Sequence, residues 1–228
     1  MKTRHIVSPQ SLIFLSTFLS LTTATLLSSC ATAYHRPAQG SFKEVSRLSI
    51  VITGKSKFKV LDSRATDLGP GVLFGVVGAI ANSAITNSAD SDKEKELAAQ
   101  TAETSYQEAF KNELKKLLDE SKRFEKIDFY NDVIGLKESS DAVLELVIQE
   151  WGVRVINQQT NHLAPYMVVD ITMKDSKGKI LWKERESQVG SSSHFFNEYR
   201  DKENLLKESM EAIVKDSAYR IASTLIYS

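Results

Sequence analysis

The chain is poor in the residues that announce chemistry. One cysteine stands among 228 residues, so no intrachain disulfide can staple the fold and no cysteine-based metal set can form. Four histidines are present. His35, His162 and His194 lie far apart in polar stretches, and none belongs to H-E-x-x-H or another ligand-spaced motif. No metal, cofactor or catalytic residue is therefore expected. There is no excess charge of either sign: 29 basic residues balance 29 acidic ones. Nucleic-acid binding needs a clustered excess of lysine and arginine, so a nucleic-acid partner is not expected either. No repeat or low-complexity segment appears. Hydrophobic content of 42% and charged content of 25% are those of an ordinary globular domain.

What is present is concentrated at the amino terminus. Lys2 and Arg4 make a positive start without an acid, and an apolar stretch follows from Ser11 to Leu27. That stretch is short and rich in Ser and Thr, whereas a membrane span needs about 20 apolar residues. It ends in Leu27-Ser28-Ser29-Cys30. This resembles the lipobox of bacterial lipoproteins, in which a signal peptidase cuts before the cysteine and the cysteine becomes the acylated terminus. The resemblance implies a signal peptide over 1–29, lipidation of Cys30, and anchoring through acyl chains to a membrane. Three chains exceed the two signals that stable anchoring takes. Ala31 after the cysteine implies the bacterial outer membrane, with the domain on its periplasmic face. It also accounts for Cys30 being the only cysteine.

Residues 31–47 contain Pro37 and Gly40 without periodicity and are read, with Cys30, as a lipidated tether over 30–47. Fully extended, 31–47 would reach roughly 56 Å. A single α+β domain is expected over 48–228. Leu48 to Thr53 and Lys57 to Asp62 are β-rich and form either a hairpin or one interrupted strand. Ser91 and Glu94 have capping-box spacing, which predicts one long helix to about Ser121 with Ala102, Tyr106, Ala109, Phe110, Leu114, Leu117 and Leu118 on its apolar face. Short strand character returns at 124–130. A long β run covers 142–156, in which Gly152 marks a bulge or bend. Residues 165–174 alternate cleanly, with Met167, Val169, Ile171 and Met173 as core fillers on one face, and a turn at 175–179 leads into 180–189. Leu206, Met210, Ile213, Ser217, Ile221 and Leu225 stripe a closing helix. The fold class is α+β: an antiparallel or mixed sheet with a long central helix and a C-terminal helix packed on one face.

The sequence GPGVLFGVVGAIANSAI (69–85) fails as a phosphate loop. Phe74 occupies the third glycine position of a dinucleotide fingerprint, and no lysine lies between Lys59 and Lys93. It also fails as a span, because 72–85 would make only about 21 Å of helix against a hydrocarbon core of about 30 Å. What remains is a small residue at every fourth position: Gly71, Gly75, Ala79 and Ser83. On a helix this groove admits close backbone approach. Two uses stay open, a packing helix inside the fold or an oligomer or membrane-contacting helix, so a homo-oligomer is possible.

His194-Phe195-Phe196 with Tyr199 forms an aromatic cluster before the last helix. It either staples that helix to the core or presents Phe195, Phe196 and Tyr199 to a partner, since aromatic residues are enriched in binding hot spots. Ser191 to Ser193 beside His194 is not a triad, which needs groups meeting in space. Glu145, Glu150, Asp170 and Glu184 fall on strands with no spacing that pairs any two as acid and base. The element order resembles the small domains of envelope-assembly lipoproteins such as the curli-secretion lipoprotein CsgG, the peptidoglycan-synthase activator LpoB and the TolB N-terminal domain. That resemblance implies a non-enzymatic accessory role with a protein partner in the envelope.

Overall fold

A computed structural model describes residues 34–54, 57–61, 88–102, 104–132, 140–157, 159, 161–202 and 204–228. Residues 34–228 form one compact unit. In chain order the elements are β1 (Arg47–Gly54), β2 (Phe58–Leu61), α1 (Ser88–Thr101), α2 (Tyr106–Ser121), β3 (Lys126–Tyr130), β4 (Ala142–Asn157), β5 (His162–Asp175), β6 (Ile180–Val189), β7 (His194–Phe195), α3 (Phe196–Asp201) and α4 (Leu205–Tyr227). The α+β class is as expected. The sheet is mixed, in the order β3-β1-β4-β5-β6, with β2 on β4 and β7 on β5. The helices pack against it.

The long strands follow their side-chain alternation. On β4, Leu144, Leu146 and Ile148 are buried, and on β5 Met167, Val169, Ile171 and Met173 join them. The turn at 175–179 closes because the Asp175 carboxylate accepts the backbone N–H groups of Lys177 and Lys179, both at 2.9 Å, while Gly178 takes φ +81°. The α4 stripe is buried throughout: Leu206, Met210, Ile213, Ser217, Ile221 and Leu225. With Phe110, Leu114 and Leu118 of α2 it joins the core cluster that includes the inner residues of β1, β4 and β5.

Three expectations are corrected and one open choice is decided. The predicted long helix is two helices, because Ser105 breaks it: its side chain accepts the Glu108 N–H at 3.3 Å and starts α2 as an N-cap. Ser91 is not a cap, since α1 begins at Ser88, and the Glu94 carboxylate instead accepts the Val60 N–H at 3.4 Å. β1 and β2 are not a hairpin but one interrupted strand. Both run parallel to β4, β1 along Ala142–Ile148 and β2 along Trp151–Arg154. Finally, the tether is much shorter than 30–47. Phe42 is fully buried, Val45 is 5% exposed, and the His35 N–H and carbonyl pair with Lys183 at 2.8 and 2.9 Å. From His35 onward the segment belongs to the fold.

Gly152 has a different role from a bulge. The register shifts on β4 fall between Ile148 and Glu150 and between Val155 and Asn157. At Gly152 the backbone takes φ +148°, and a Cβ there would stand 2.0 Å from the Lys59 carbonyl oxygen of β2. Only glycine allows that approach.

Candidate functional site

Cys30 and the spaced set Gly71, Gly75, Ala79 and Ser83 lie outside the described residues. The aromatic cluster is split by the structure. Phe195 is 47% exposed, with its ring 4.2 Å from that of His162. Phe196 is half-buried beneath the Lys93 ammonium. Tyr199 is fully buried and its hydroxyl donates to the Leu163 carbonyl at 3.4 Å. Tyr199 is therefore a core staple, which corrects its place in a contact surface, and the exposed part is Phe195. Beside it the Glu198 carboxylate accepts from the Lys202 ammonium at 2.7 Å and from the Phe195 N–H at 3.0 Å. Those two bonds hold its pKa below the usual carboxylate range.

His35 lies apart from the other two described histidines, whereas His162 and His194 sit on the paired strands β5 and β7 and the His194 Nδ1 is 3.7 Å from the Glu198 carboxylate. His35 works through its backbone on β6, His162 faces Phe195, and the His194 ring lies 5.3 Å from that of Tyr199. Among the described residues no group of three His, Cys, Asp or Glu is placed to hold a metal ion. The four strand carboxylates each meet a cation: Glu145 with Lys174 at 3.4 Å, Glu150 with Lys59 at 2.9 Å, Asp170 with Arg185 at 2.6 Å, and Glu184 with Arg36 at 2.8 Å. All four are paired across the sheet or against the 34–46 segment.

Two concavities border the C-terminal half of α4. One groove of about 390 Å³ runs between α4 and β6 and is lined by Arg36, Trp182, Glu184, Glu186, Tyr219 and Arg220. Its floor is acidic and its rim basic. The Glu184 and Glu186 side chains are only 15% and 20% exposed, against 82% for Arg36 and 63% for Arg220. The Trp182 indole N–H donates to Glu184 at 3.1 Å. Burial raises the Glu186 pKa above its ordinary value, and Glu184 adds to this while Arg220 and Arg36 oppose it. A second groove of about 480 Å³ lies on the other side, lined by Gly40, Lys43, Arg123, Tyr227 and Ser228. A third, smaller cavity of about 160 Å³ sits where α2 begins, against Gly54, Trp151 and Met167. On its wall the Tyr106 hydroxyl is buried without a hydrogen-bond partner. Burial pushes its pKa up to about 12, and nearby Thr104, outside bonding geometry, tempers the shift.

Sequence reasoning missed the α4–β6 groove. A signal was present in β6, where Trp182, Glu184, Glu186 and Gln188 share the inward parity. Acids on the core-facing side of a strand mark a place the core does not close over.

No family model matches the chain, and no curated protein matches it. Several solved structures do. A PelC dodecamer from Paraburkholderia phytofirmans is 10% identical, with 86% of this chain and 98% of that one covered and a TM-score of 0.38. A minor lipoprotein from Acinetobacter baumannii is 16% identical over 52% of this chain and 84% of its own, with a TM-score of 0.34. Lipoprotein GNA1162 from Neisseria meningitidis is 16% identical over 75% and 99%, with a TM-score of 0.20.

Proposed function

We propose that this chain is a lipid-anchored envelope protein with a non-enzymatic accessory role in assembly or transport at the periplasmic face of a bacterial outer membrane. The observation that carries the reading is Leu27-Ser28-Ser29-Cys30, a lipobox that ends in the chain's only cysteine. It stands five residues ahead of the first backbone pairing of the fold, at His35. The described histidines and carboxylates support binding over turnover, because each carboxylate named above is already held by a cation or a backbone N–H. The test is growth of the expressing cells with an alkyne analogue of palmitate. The wild-type protein takes up the label and Cys30→Ser does not. A labelled Cys30→Ser protein, or an unlabelled wild type, contradicts the anchor.

A second reading rests on the spacing of Gly71, Gly75, Ala79 and Ser83, which suits helix–helix contact between copies. Light scattering on soluble Ala31–Ser228 beside Gly75→Leu separates the two. The accessory reading expects a monomer that Gly75→Leu destabilises. A defined oligomer that Gly75→Leu dissociates without unfolding supports an assembly subunit instead.

A further inference from the structure

We propose that the rim formed by residues 34–43, the outer edge of β6 and the C-terminal half of α4 rests on the anchoring bilayer, with its tyrosines in the headgroup layer. This rests on the acylated Cys30 proposed above. The link from the anchor to the fold is short. Because His35 is fixed to Lys183 by two backbone hydrogen bonds, only the five residue steps from Cys30 to His35 separate the acyl chains from β6. Fully extended, those steps span at most roughly 18 Å, less than the width of the domain's own helices along their length: α4 alone, with 23 residues, is about 34 Å long at 1.5 Å per residue. His35 therefore stays within that extended reach of the membrane, and the surface around it is the one held nearest the bilayer.

That surface carries exposed tyrosines. Tyr34, Tyr219 and Tyr227 are 42%, 61% and 76% exposed. All three lie beside the anchoring point: Tyr34 is adjacent to His35, Tyr219 lines the groove with Arg36, and Tyr227 lines the groove with Lys43. Tyrosine is the side chain whose apolar ring and polar tip suit the membrane–water boundary. Charge adds nothing to this: Arg36 and Arg220 are paired with the recessed Glu184 and Glu186, and the exposed acids Glu44 and Asp216 offset Lys43 at the border, so the contact rests on reach and on the tyrosines.

The test uses the full-length acylated protein in phosphatidylethanolamine–phosphatidylglycerol vesicles. Tyr219→Cys, Tyr227→Cys and, as a distal control on α3, Asn197→Cys are each labelled with bimane, Cys30 being blocked by its lipid. These positions are exposed, so the substitutions leave the core alone. Vesicles carrying a headgroup nitroxide lipid are expected to quench 219 and 227 and to spare 197. If the protein floats with the vesicles but 219 and 227 are no more quenched than 197, the contact surface is wrong and the anchor stands. If the protein does not float, the anchor fails and the contact surface with it. Labels at 219 shielded from both the lipid nitroxide and aqueous iodide show that protein covers the rim, which also overturns the proposal.

Discussion

Replacing Phe42 with alanine measures whether the segment after the lipobox is a tether or a part of the fold. Phe42 has no exposed surface, its ring lies 6.2 Å from that of Trp182, and its carbonyl accepts a hydrogen bond from the Arg123 guanidinium. Arg123 also donates to the Val45 carbonyl at 3.3 Å, so one buried ring and one arginine tie 42–45 to the start of β3. Removing a buried phenylalanine side chain costs about 3–5 kcal/mol through lost burial and the cavity left behind. For a domain of this size each kcal/mol shifts Tm by about 2–4 °C, so Phe42→Ala should lower Tm by roughly 10 °C. The assay is thermal unfolding of Ala31–Ser228 followed by circular dichroism. A Tm within about 2 °C of wild type, less than 1 kcal/mol on the same scale, refutes the packed segment and with it the short reach from Cys30.

Three further outcomes follow from single contacts. Gly152→Ala places a Cβ against the Lys59 carbonyl in a backbone conformation that side chains rarely adopt. Strain of about 1–3 kcal/mol plus displacement of β2 should be visible as a lower urea midpoint, and an unchanged midpoint contradicts the close approach. Tyr106→Phe removes a buried hydroxyl that has no partner. An unmet buried polar group costs about 1–3 kcal/mol, so Tm should stay level or rise, and a clear fall means the hydroxyl is bonded. Asp141 accepts the Ser46 and Arg47 backbone N–H groups at 3.0 and 2.8 Å and the Arg47 guanidinium at 3.0 Å, and the bonds from Arg47, backbone before side chain, lead in depressing its pKa. A depressed carboxylate contributes stability that is fully present above its unfolded value, about 3.9, and lost as pH falls through the lower folded value. With the carboxylate 29% exposed, Asp141→Asn should cost on the order of 1 kcal/mol at pH 7. That gap should start to narrow as pH falls below about 3.9 and close once pH is below the lower folded value, and one that persists there points to packing rather than charge.

The parts of the fold legible in the sequence were those whose period matched one buried face. The alternation of 165–174 and the stripe from Leu206 to Leu225 each run on one element against one core, so period alone placed them. The helix break was written locally but ambiguously: Ser91–Glu94 and Ser105–Glu108 share the same spacing. The second won because Ser105 keeps extended backbone angles and caps α2. Phe42 and Val45 were hidden because two apolar residues in a polar stretch have no period, and only Trp182, 140 residues away, shows where the ring goes. Parallel pairing of β1 with β3 and β4 is likewise set by contacts distant in sequence. Of the candidate site, Tyr199 was misassigned because exposure within an aromatic cluster depends on which residue starts the helix. The α4–β6 groove arises from three segments that no local window contains.

Cys30 is the residue on which the lipid anchor stands or falls. Trypsin cannot cut before Pro37, so digestion of protein extracted from membranes should release residues 30–43 as its first mature peptide. Mass spectrometry of that peptide should find it beginning at Cys30 and carrying acyl chains. A peptide that begins elsewhere, or that begins at an unmodified Cys30, contradicts the lipid anchor and removes the ground for both the accessory role and the bilayer contact.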